Sequence, residues 1–562
     1  MCRFLPACCF LVALNAQQAP TFSSSSRLVI VNAVVLGKNN TPMTGLTKDD
    51  FQLFDNGQPQ PIALFSEPAT SPNPSANANT QPAELPPNVF SNRILSSVKA
   101  QPNATVILLD ALNTDIQDQS FARDQVVRFL RQIQPGDHIG IYALGAGLRV
   151  IHDFTTDSSD LLAALNKYGV KTLSSSPGET GATTVVTPTS SGLPNSSTTG
   201  QNPASDPINL KGLFSLQGST AEQDFFLKNR IDATLRALTF IAEHLAIFPG
   251  RKSLIWVSGG FPLSVGYGGP DGFSAENKDR SIHADAFKRA MQIVNSANIA
   301  IYPVDAHGVL MSGNYAGSAT ARPNNSTIDI PAADQQQTMR TLASSTGGKA
   351  FLNRNDLDHA ITEAITDSEV SYTLGFYPAQ QKFDGSYHKL TLKLDRAHND
   401  LRYRAGYLDL VKPSQDQKAR QADLAVTAAS PVDANGIGLE AQVLPGRASG
   451  KPAGKASLQV TVQINPKTLT LTPKDGLTIG QLDVLFLQRD EVGKTVDVFN
   501  NSIDLKLGTA EMAKIRRFGI LFSKDLIRAK AAESLRIIVR DVDSGASGSI
   551  TVPLAQLTPT SN

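Results

Sequence analysis

An almost fully apolar run that ends in an aspartate constrains the fold of this chain more than any other feature. Residues 104–109 read Ala-Thr-Val-Ile-Leu-Leu, Asp110 follows, and the polar residues Asn113 and Thr114 come shortly after. A short apolar run of this kind is typical of a parallel strand that is buried on both faces. Such strands deliver polar side chains to the carboxyl edge of an α/β sheet, where ligands bind. The pattern therefore predicts a polar site beside Asp110.

The same pattern recurs twice more along the chain. Residues 253–257 (SLIWV) end at Ser258, and residues 299–304 (IAIYPV) end at Asp305. Apolar residues at steps of three and four mark helices between these strands, as in the run from 227 to 245. Strands that alternate with helices predict a doubly wound, mostly parallel sheet, so the polar strand ends should share one edge.

Composition divides the remaining chain into segments. Residues 67–100 are rich in Pro, Ser, Asn and Ala, which is typical of a linker. The insertion at 171–220 is dominated by Ser, Thr, Gly, Pro and Asn, and residues 420–558 show apolar alternation with turns. The predicted boundaries are a signal peptide at 1–16, a small β unit at 27–66, a linker at 67–100, an α/β domain at 101–380 with a disordered insertion at 171–220, a β extension at 383–410 and an all-β sandwich at 420–558.

The first residues predict export to the periplasm, the cell surface or the medium. Arg3 is positively charged, residues 4–14 are mostly apolar, and Ala16 offers a cleavage site. All three cysteines, Cys2, Cys8 and Cys9, lie in this segment, so the mature chain would contain no disulfide and no cysteine-based zinc site. A buried N-terminal strand and a lipid anchor at Cys8 are the alternatives.

The charge balance argues against two classes of partner. The chain has 51 Lys and Arg against 50 Asp and Glu, a net charge of +1. This balance does not favour binding to nucleic acid or to an anionic membrane surface, and no apolar run is long enough to span a bilayer. The predicted partners are a protein or a cell-surface polymer, and the oligomeric state stays open.

Residues 27–408 resemble a von Willebrand factor type A (VWA) domain, in particular the secreted bacterial VWFA-related proteins typical of acidobacteria. The resemblance implies a VWA-like doubly wound sheet, and the small N-terminal β unit and the C-terminal sandwich predicted from the strand patterns would flank it. The segments that carry it are Gly45-Leu-Thr-Lys-Asp-Asp-Phe51, Asp55-Asn-Gly57, Val106-Ile-Leu-Leu-Asp-Ala-Leu-Asn-Thr114, Pro249-Gly-Arg-Lys-Ser-Leu-Ile-Trp-Val-Ser-Gly-Gly-Phe261 and Ile301-Tyr-Pro-Val-Asp305.

The resemblance also implies a metal-ion-dependent adhesion site. In the family, an Asp-x-Ser-x-Ser motif, a loop threonine and a second aspartate hold Mg²⁺, and a carboxylate of the ligand completes the coordination. Here Asp110 matches the first aspartate and Thr114 the second serine, which makes these two the candidate Mg²⁺ ligands. Leu112 and Ser258 replace two oxygen donors, so the site is degenerate. The candidates for the loop threonine are Thr220 and Thr234. The alternative is a structural Asp110 that hydrogen-bonds nearby backbone amides.

We predict an exported, non-enzymatic binding protein that contacts its partner at the carboxyl edge of the sheet. The predicted contact residues are Asp110, Asn113, Thr114, Ser258 and Asp305. Ser258 does not fit a hydrolase nucleophile elbow, because that turn needs glycine where Trp256 stands. His307, two residues after Asp305, is either a metal ligand or part of a hydrogen-bonded loop. The alternative functions are a metal-dependent hydrolase that uses the same edge and a structural envelope protein in which the sandwich provides adhesion.

Overall fold

The computed structural model of the chain is mixed α/β, with several sheets. The predicted signal peptide and most of the predicted insertion lie outside the described residues. Those residues are 28–38, 41–67, 85–92, 104–134, 137–174, 220–246, 248, 250–261, 278–308, 332–378, 384–396, 400–409, 411, 413–414, 416–447 and 456–558.

Strands alternate with helices in the middle of the chain, and strands predominate before and after it. The strands are β1 (Val29–Leu36), β2 (Phe51–Asp55), β3 (Gln58–Gln60), β4 (Leu64–Ser66), β5 (Val89–Ser91), β6 (Ala104–Asp110), β7 (His138–Leu144), β8 (Leu148–Thr155), β9 (Lys252–Ser258), β10 (Ile299–Asp305), β11 (Ser371–Phe376), β12 (Tyr387–Leu394), β13 (Asp400–Tyr403), β14 (Gly406–Leu408), β15 (Leu439–Arg447), β16 (Ala456–Ile464), β17 (Thr472–Lys474), β18 (Leu477–Arg489), β19 (Thr495–Leu507), β20 (Ile520–Ile527), β21 (Ser534–Asp541) and β22 (Ser547–Pro553). The α-helices are α1 (Ile116–Leu130), α2 (Ser158–Ser174), α3 (Thr220–Leu245), α4 (Lys278–Ser296), α5 (Ala332–Thr346), α6 (Leu357–Glu369), α7 (Gln417–Ala429) and α8 (Thr509–Phe518).

A five-stranded, mostly parallel sheet forms the centre of the α/β region. Its order is β10-β9-β6-β7-β8, and β8 alone runs antiparallel, as an edge hairpin with β7. Every residue of β9 and β10 is buried, which agrees with their continuous apolar sequences. One face of the sheet packs against α3 and α4, and the other face packs against α1, α2 and α6. The sheet is therefore covered by helices on both faces.

The small N-terminal β segment does not stand alone. Strand β1 pairs with β11 and β13, and β2 pairs with β12, so both halves of a two-sheet unit combine residues from before and after the α/β region. The sequence placed β11 at the end of the α/β domain. The structure pairs it antiparallel with β1, because the apolar faces of both strands enter one core that includes Val31, Phe51 and Tyr372.

The C-terminal strands form two sheets around a shared apolar core. One sheet has the order β20-β16-β15-β5, and the other contains β17, β18, β21 and β22, with β19 paired to β18. Alternating residues such as Val460, Val484 and Ile537 point into the core between them. Strand β5 comes from the segment predicted as a linker, and it pairs with β15. Among the described residues, no helix is long and apolar enough to cross a membrane.

The end of α3 contacts the C-terminal sheets. His244 lies 2.8 Å from the carbonyl oxygen of Asp433 through Nδ1, and the backbone N–H of Asn435 donates to the carbonyl oxygen of Glu243 at 3.0 Å. Oε2 of Glu243 is shielded from solvent and has no hydrogen-bond partner among the described residues. Burial raises the pKa of Glu243 to about 7, although the nearby Arg536 opposes the shift.

Candidate functional site

The three polar strand ends meet at the carboxyl edge of the central sheet. Asp305 is level with Ser258, and Leu109 is level with Val257, so Asp110 lies beside Ser258. Strand β6 is the point from which the chain passes to β7 on one side and later to β9 on the other. Open α/β sheets bind ligands at such switch points. The five residues named from the sequence (Asp110, Asn113, Thr114, Ser258 and Asp305) together form what we call the carboxyl rim.

Hydrogen-bond donors of the protein occupy both carboxylate oxygens of Asp110. Oδ1 accepts the backbone N–H of Asn113 at 3.0 Å. Oδ2 accepts Nδ2 of Asn113 at 2.8 Å, Nε1 of Trp256 at 2.9 Å and the hydroxyl of Ser258 at 2.9 Å. Burial raises the pKa of Asp110, and the hydrogen bonds from Asn113, Ser258 and Trp256 oppose that shift. These contacts support the structural alternative for Asp110.

The side chains at the two remaining positions of the Asp-x-Ser-x-Ser motif, Leu112 and Thr114, also contact other parts of the protein. Leu112 is 4% exposed and packs in the core beneath α3 and α4. The hydroxyl of Thr114 accepts the backbone N–H of Gly259 at 2.8 Å. A Cβ at Gly259 would lie 3.0 Å from the carbonyl oxygen of Asn113, so a larger residue would require these loops to move apart. Thr114 therefore joins two loops together at the edge of the sheet.

Helix α3 supplies a second layer of contacts beneath the rim. Nδ2 of Asn113 donates to Oγ1 of Thr234 at 3.0 Å, and Oδ1 of Asn113 accepts Nη2 of Arg230 at 3.1 Å. The hydroxyl of Thr234 donates to the carbonyl oxygen of Arg230. Thr220, the other threonine candidate, is the first residue of α3. Sequence reasoning missed Arg230, whose fixed positive charge disfavours a second cation at this position.

The donor set beside Asp110 does not fit Mg²⁺. Magnesium requires a nearly octahedral shell of oxygen atoms at about 2.0–2.1 Å. Asp110 already accepts four hydrogen bonds, Leu112 offers no oxygen, and Ser258 shares its single hydroxyl proton between Asp110 and the carbonyl oxygen of Gly260. A cation would have to displace several buried hydrogen bonds to bind there.

The carboxyl rim is buried beneath the protein surface. The exposed fraction of its five residues lies between 2% and 4%. A macromolecular partner cannot touch such side chains directly, although the sequence predicted them as contact residues. A partner can contact only the residues around the buried carboxyl rim. The rim holds those residues in position.

Three partly exposed side chains lie beside the carboxyl rim. They are Asp115, Asp118 and His307, which we call the rim triad, and their candidate metal-ligand atoms lie within 4.8 Å of one another. Asp115 and Asp118 belong to the start of α1, directly after Thr114, and His307 follows the end of β10. His307 Nε2 lies 3.9 Å from Oδ2 of Asp118, and Nδ1 lies 2.8 Å from Oδ1 of the buried Asp305.

Sequence reasoning missed Asp115 and Asp118, and it paired His307 with Asp305 alone. The available signal was the i, i+3 spacing of two carboxylates in the first turn of a helix that starts at the rim. Trp256 was also missed, since it was considered only as an obstacle to a nucleophile elbow. Its indole nitrogen proves to be one of the donors that hold Asp110.

Several solved structures are similar to this chain. One is an aerotolerance-related membrane protein from Bacteroides fragilis, with 12% identity over 47% of this chain and 98% of that chain, at a TM-score of 0.24. Another is the conserved hypothetical protein BatB from Bacteroides thetaiotaomicron, with 15% identity, 48% and 98% coverage and a TM-score of 0.22. A third is a von Willebrand factor type A protein from Catenulispora acidiphila, with 9% identity, 85% and 74% coverage and a TM-score of 0.21.

No family model and no curated protein matches the chain. At TM-scores this low, the similar structures carry no argument about function. The proposals that follow rest on the contacts within this chain.

Proposed function

We propose that this chain is an exported VWA-like binding protein that recognises a protein or a surface polymer at the carboxyl edge of its central sheet and catalyses no reaction. The observation that carries the proposal is the meeting of three polar strand ends at the switch point of a mostly parallel sheet. The segments that resemble VWA proteins supply this same edge, since Asp110 ends β6 and Ser258 ends β9.

The contact surface is the rim triad together with the backbone around it. Asp118 and His307 have side chains that are 30% and 27% exposed, so a partner can reach them. The buried rim beneath them is extensively hydrogen-bonded, which keeps the surface rigid. A rigid, preorganised surface loses less conformational entropy on binding than a mobile one.

The hydrogen bonds of Ser258 argue against a serine hydrolase. Its hydroxyl interacts with Asp110 and with the backbone of Gly260, and no imidazole is among its hydrogen-bond partners in the described residues. A serine nucleophile needs a general base within hydrogen-bond reach. His307 instead directs Nδ1 to Asp305.

The test compares two double variants of the full chain on an array of surface polysaccharides and extracellular proteins. The rim variant carries Asp118→Ala and His307→Ala, and it should lose the binding that the wild-type chain shows. The control carries His152→Ala and Asp160→Ala, the same residue types in the middle of β8 and in the first turn of α2. Equal binding by the rim variant and the wild-type chain would refute the proposal.

A second candidate function is adhesion through the C-terminal sheets. Large apolar side chains are exposed there, among them Val496 and Val498 on one face of β19, with exposed fractions of 36% and 52%. Exposed apolar patches mark interaction surfaces in soluble proteins. Val496→Lys combined with Val498→Lys should abolish binding on the same array if this surface is the adhesive one. Retained binding would leave recognition to the rim.

A further inference from the structure

We propose that the rim triad, Asp115, Asp118 and His307, binds a divalent transition-metal cation, for which Zn²⁺ is the best fit. One ligand atom from each side chain lies within 4.8 Å of the other two. Ligands of Zn²⁺ lie about 2.0–2.2 Å from the ion, so binding would draw these side chains together by rotation. All three residues are only partly buried, so an ion can reach them from solvent.

The second ring nitrogen of His307 supports this proposal independently. Nδ1 lies 2.8 Å from Oδ1 of Asp305, which also accepts the backbone N–H of His307 at 3.0 Å. When Nδ1–H is donated to a carboxylate, the lone pair resides on Nε2, the atom nearest Asp118. Histidines that bind metals commonly donate their other nitrogen to a carboxylate, which fixes the tautomer and the ring orientation. Asp305 is therefore a positioning residue for His307.

The helix dipole of α1 does not account for the whole arrangement. Acidic residues in the first turn of a helix are stabilised by its dipole, which would be an ordinary reason for Asp115 and Asp118. However, the dipole does not explain an oriented imidazole that comes from the end of another strand. Two separate elements supply the three groups, and the parallel sheet brings these elements together.

The ligand types determine which cation fits. One imidazole and two carboxylates suit Zn²⁺ and related first-row cations, whereas Mg²⁺ prefers oxygen ligands and keeps several waters. Three protein ligands leave at least one coordination position for water or for an acidic group of a partner. The proposed site is distinct from the position at Asp110 and Thr114, because it uses none of the residues of the adhesion-site motif.

The experiment measures Zn²⁺ binding to the full chain by competition with a fluorescent zinc indicator, after dialysis against a chelator. Every sample carries Cys2→Ser, Cys8→Ser and Cys9→Ser and no affinity tag, so that thiolates and added histidines contribute nothing. The parent chain should bind one Zn²⁺. His307→Ala and Asp118→Ala should each weaken binding by at least about tenfold, and Asp305→Asn by about 10- to 100-fold.

The matched control is His152→Ala, which should bind Zn²⁺ as the parent does. Fluorescence of the single tryptophan, recorded for each variant, verifies that the α/β region is folded. The proposal is overturned if the parent binds no Zn²⁺, or if folded His307→Ala binds it with unchanged affinity. Because no partner is present in this measurement, its failure would leave the proposed recognition function standing.

Discussion

The substitution Asp110→Ala tests whether the buried aspartate holds the strand ends together as a hydrogen-bond acceptor. It removes the acceptor of four hydrogen bonds. Nδ2 of Asn113 keeps Thr234 as an acceptor, and the hydroxyl of Ser258 keeps Gly260. The backbone N–H of Asn113 and Nε1 of Trp256 have no other acceptor among the described residues.

The size of the effect follows from these two donors. A buried donor that loses its acceptor costs about 1–3 kcal/mol, so the pair costs about 2–6 kcal/mol. Removal of a buried carboxylate offsets part of this loss, because burial disfavours the charged form. We therefore expect the free energy of unfolding of the α/β region to fall by about 2–4 kcal/mol.

Urea unfolding followed by tryptophan fluorescence measures this change locally. The chain contains one tryptophan, and Trp256 is itself a hydrogen-bond donor to Asp110. The titration is made with a chelator present, with exposed Asp160→Ala as the control for loss of a carboxylate. The reasoning would be refuted if Asp110→Ala were as stable as the wild type in chelator and less stable than the wild type only after Mg²⁺ is added. That result would show that Asp110 is a metal ligand.

Three further substitutions test neighbouring parts of the account. Gly259→Ala should lower the free energy of unfolding by about 1–3 kcal/mol, because the added Cβ would lie 3.0 Å from a carbonyl oxygen. The control Gly145→Ala should have little effect in the same urea titration, because no atom lies within 4 Å of its added Cβ. Leu112→Ser restores a motif residue but should cost about 2–5 kcal/mol of apolar packing and create no Mg²⁺ binding in calorimetry; a measurable Mg²⁺ affinity would contradict this. Burial raises the pKa of Glu243 from 4.5 to about 7, so the folded chain holds this proton more tightly than the unfolded chain, and stability should fall by about 3 kcal/mol as the pH rises through that window. Glu243→Gln should remove this pH dependence from the urea midpoints, and an unchanged slope would show that another group is responsible.

The arrangement of the central sheet could be predicted because the relevant signal is local. Apolar runs that end at Asp110, Ser258 and Asp305 require burial on both faces, and alternation with helices makes the strands parallel. Parallel strands end at one edge, so the meeting of these three residues follows from the pattern alone. The antiparallel hairpin of β7 and β8 was also predictable from a local signal, since the short turn Gly145-Ala146-Gly147 joins its strands.

Pairing across long sequence separations could not be predicted from alternation. Strand β11 has apolar residues that suit either the parallel sheet or the sheet that contains β1, and its partner is decided by the core around Tyr372. The same limit applies to the rim triad. Nothing in the sequence around Asp118 indicates that His307 will lie beside it, because that contact depends on how the ends of β6 and β10 lie across the folded sheet.

The burial of the rim residues also could not be predicted from the sequence. Polar residues after a buried strand normally reach solvent, but in this fold Trp256, Gly259 and helix α3 enclose them. The indole and the backbone amide replace the water or cation that would otherwise satisfy Asp110 and Thr114. The polar pattern therefore predicted that these side chains meet at one edge of the sheet, while the contacts of each side chain depended on its neighbours.

The most direct test of the account is a crystal structure of the full chain grown with both Zn²⁺ and Mg²⁺, with anomalous diffraction recorded at the zinc edge. We expect a zinc peak about 2.0–2.1 Å from Nε2 of His307, and we expect Asp110 still to accept the hydrogen bonds from Asn113 and Trp256. A cation bound between Asp110 and Thr114, with those hydrogen bonds broken, would contradict it.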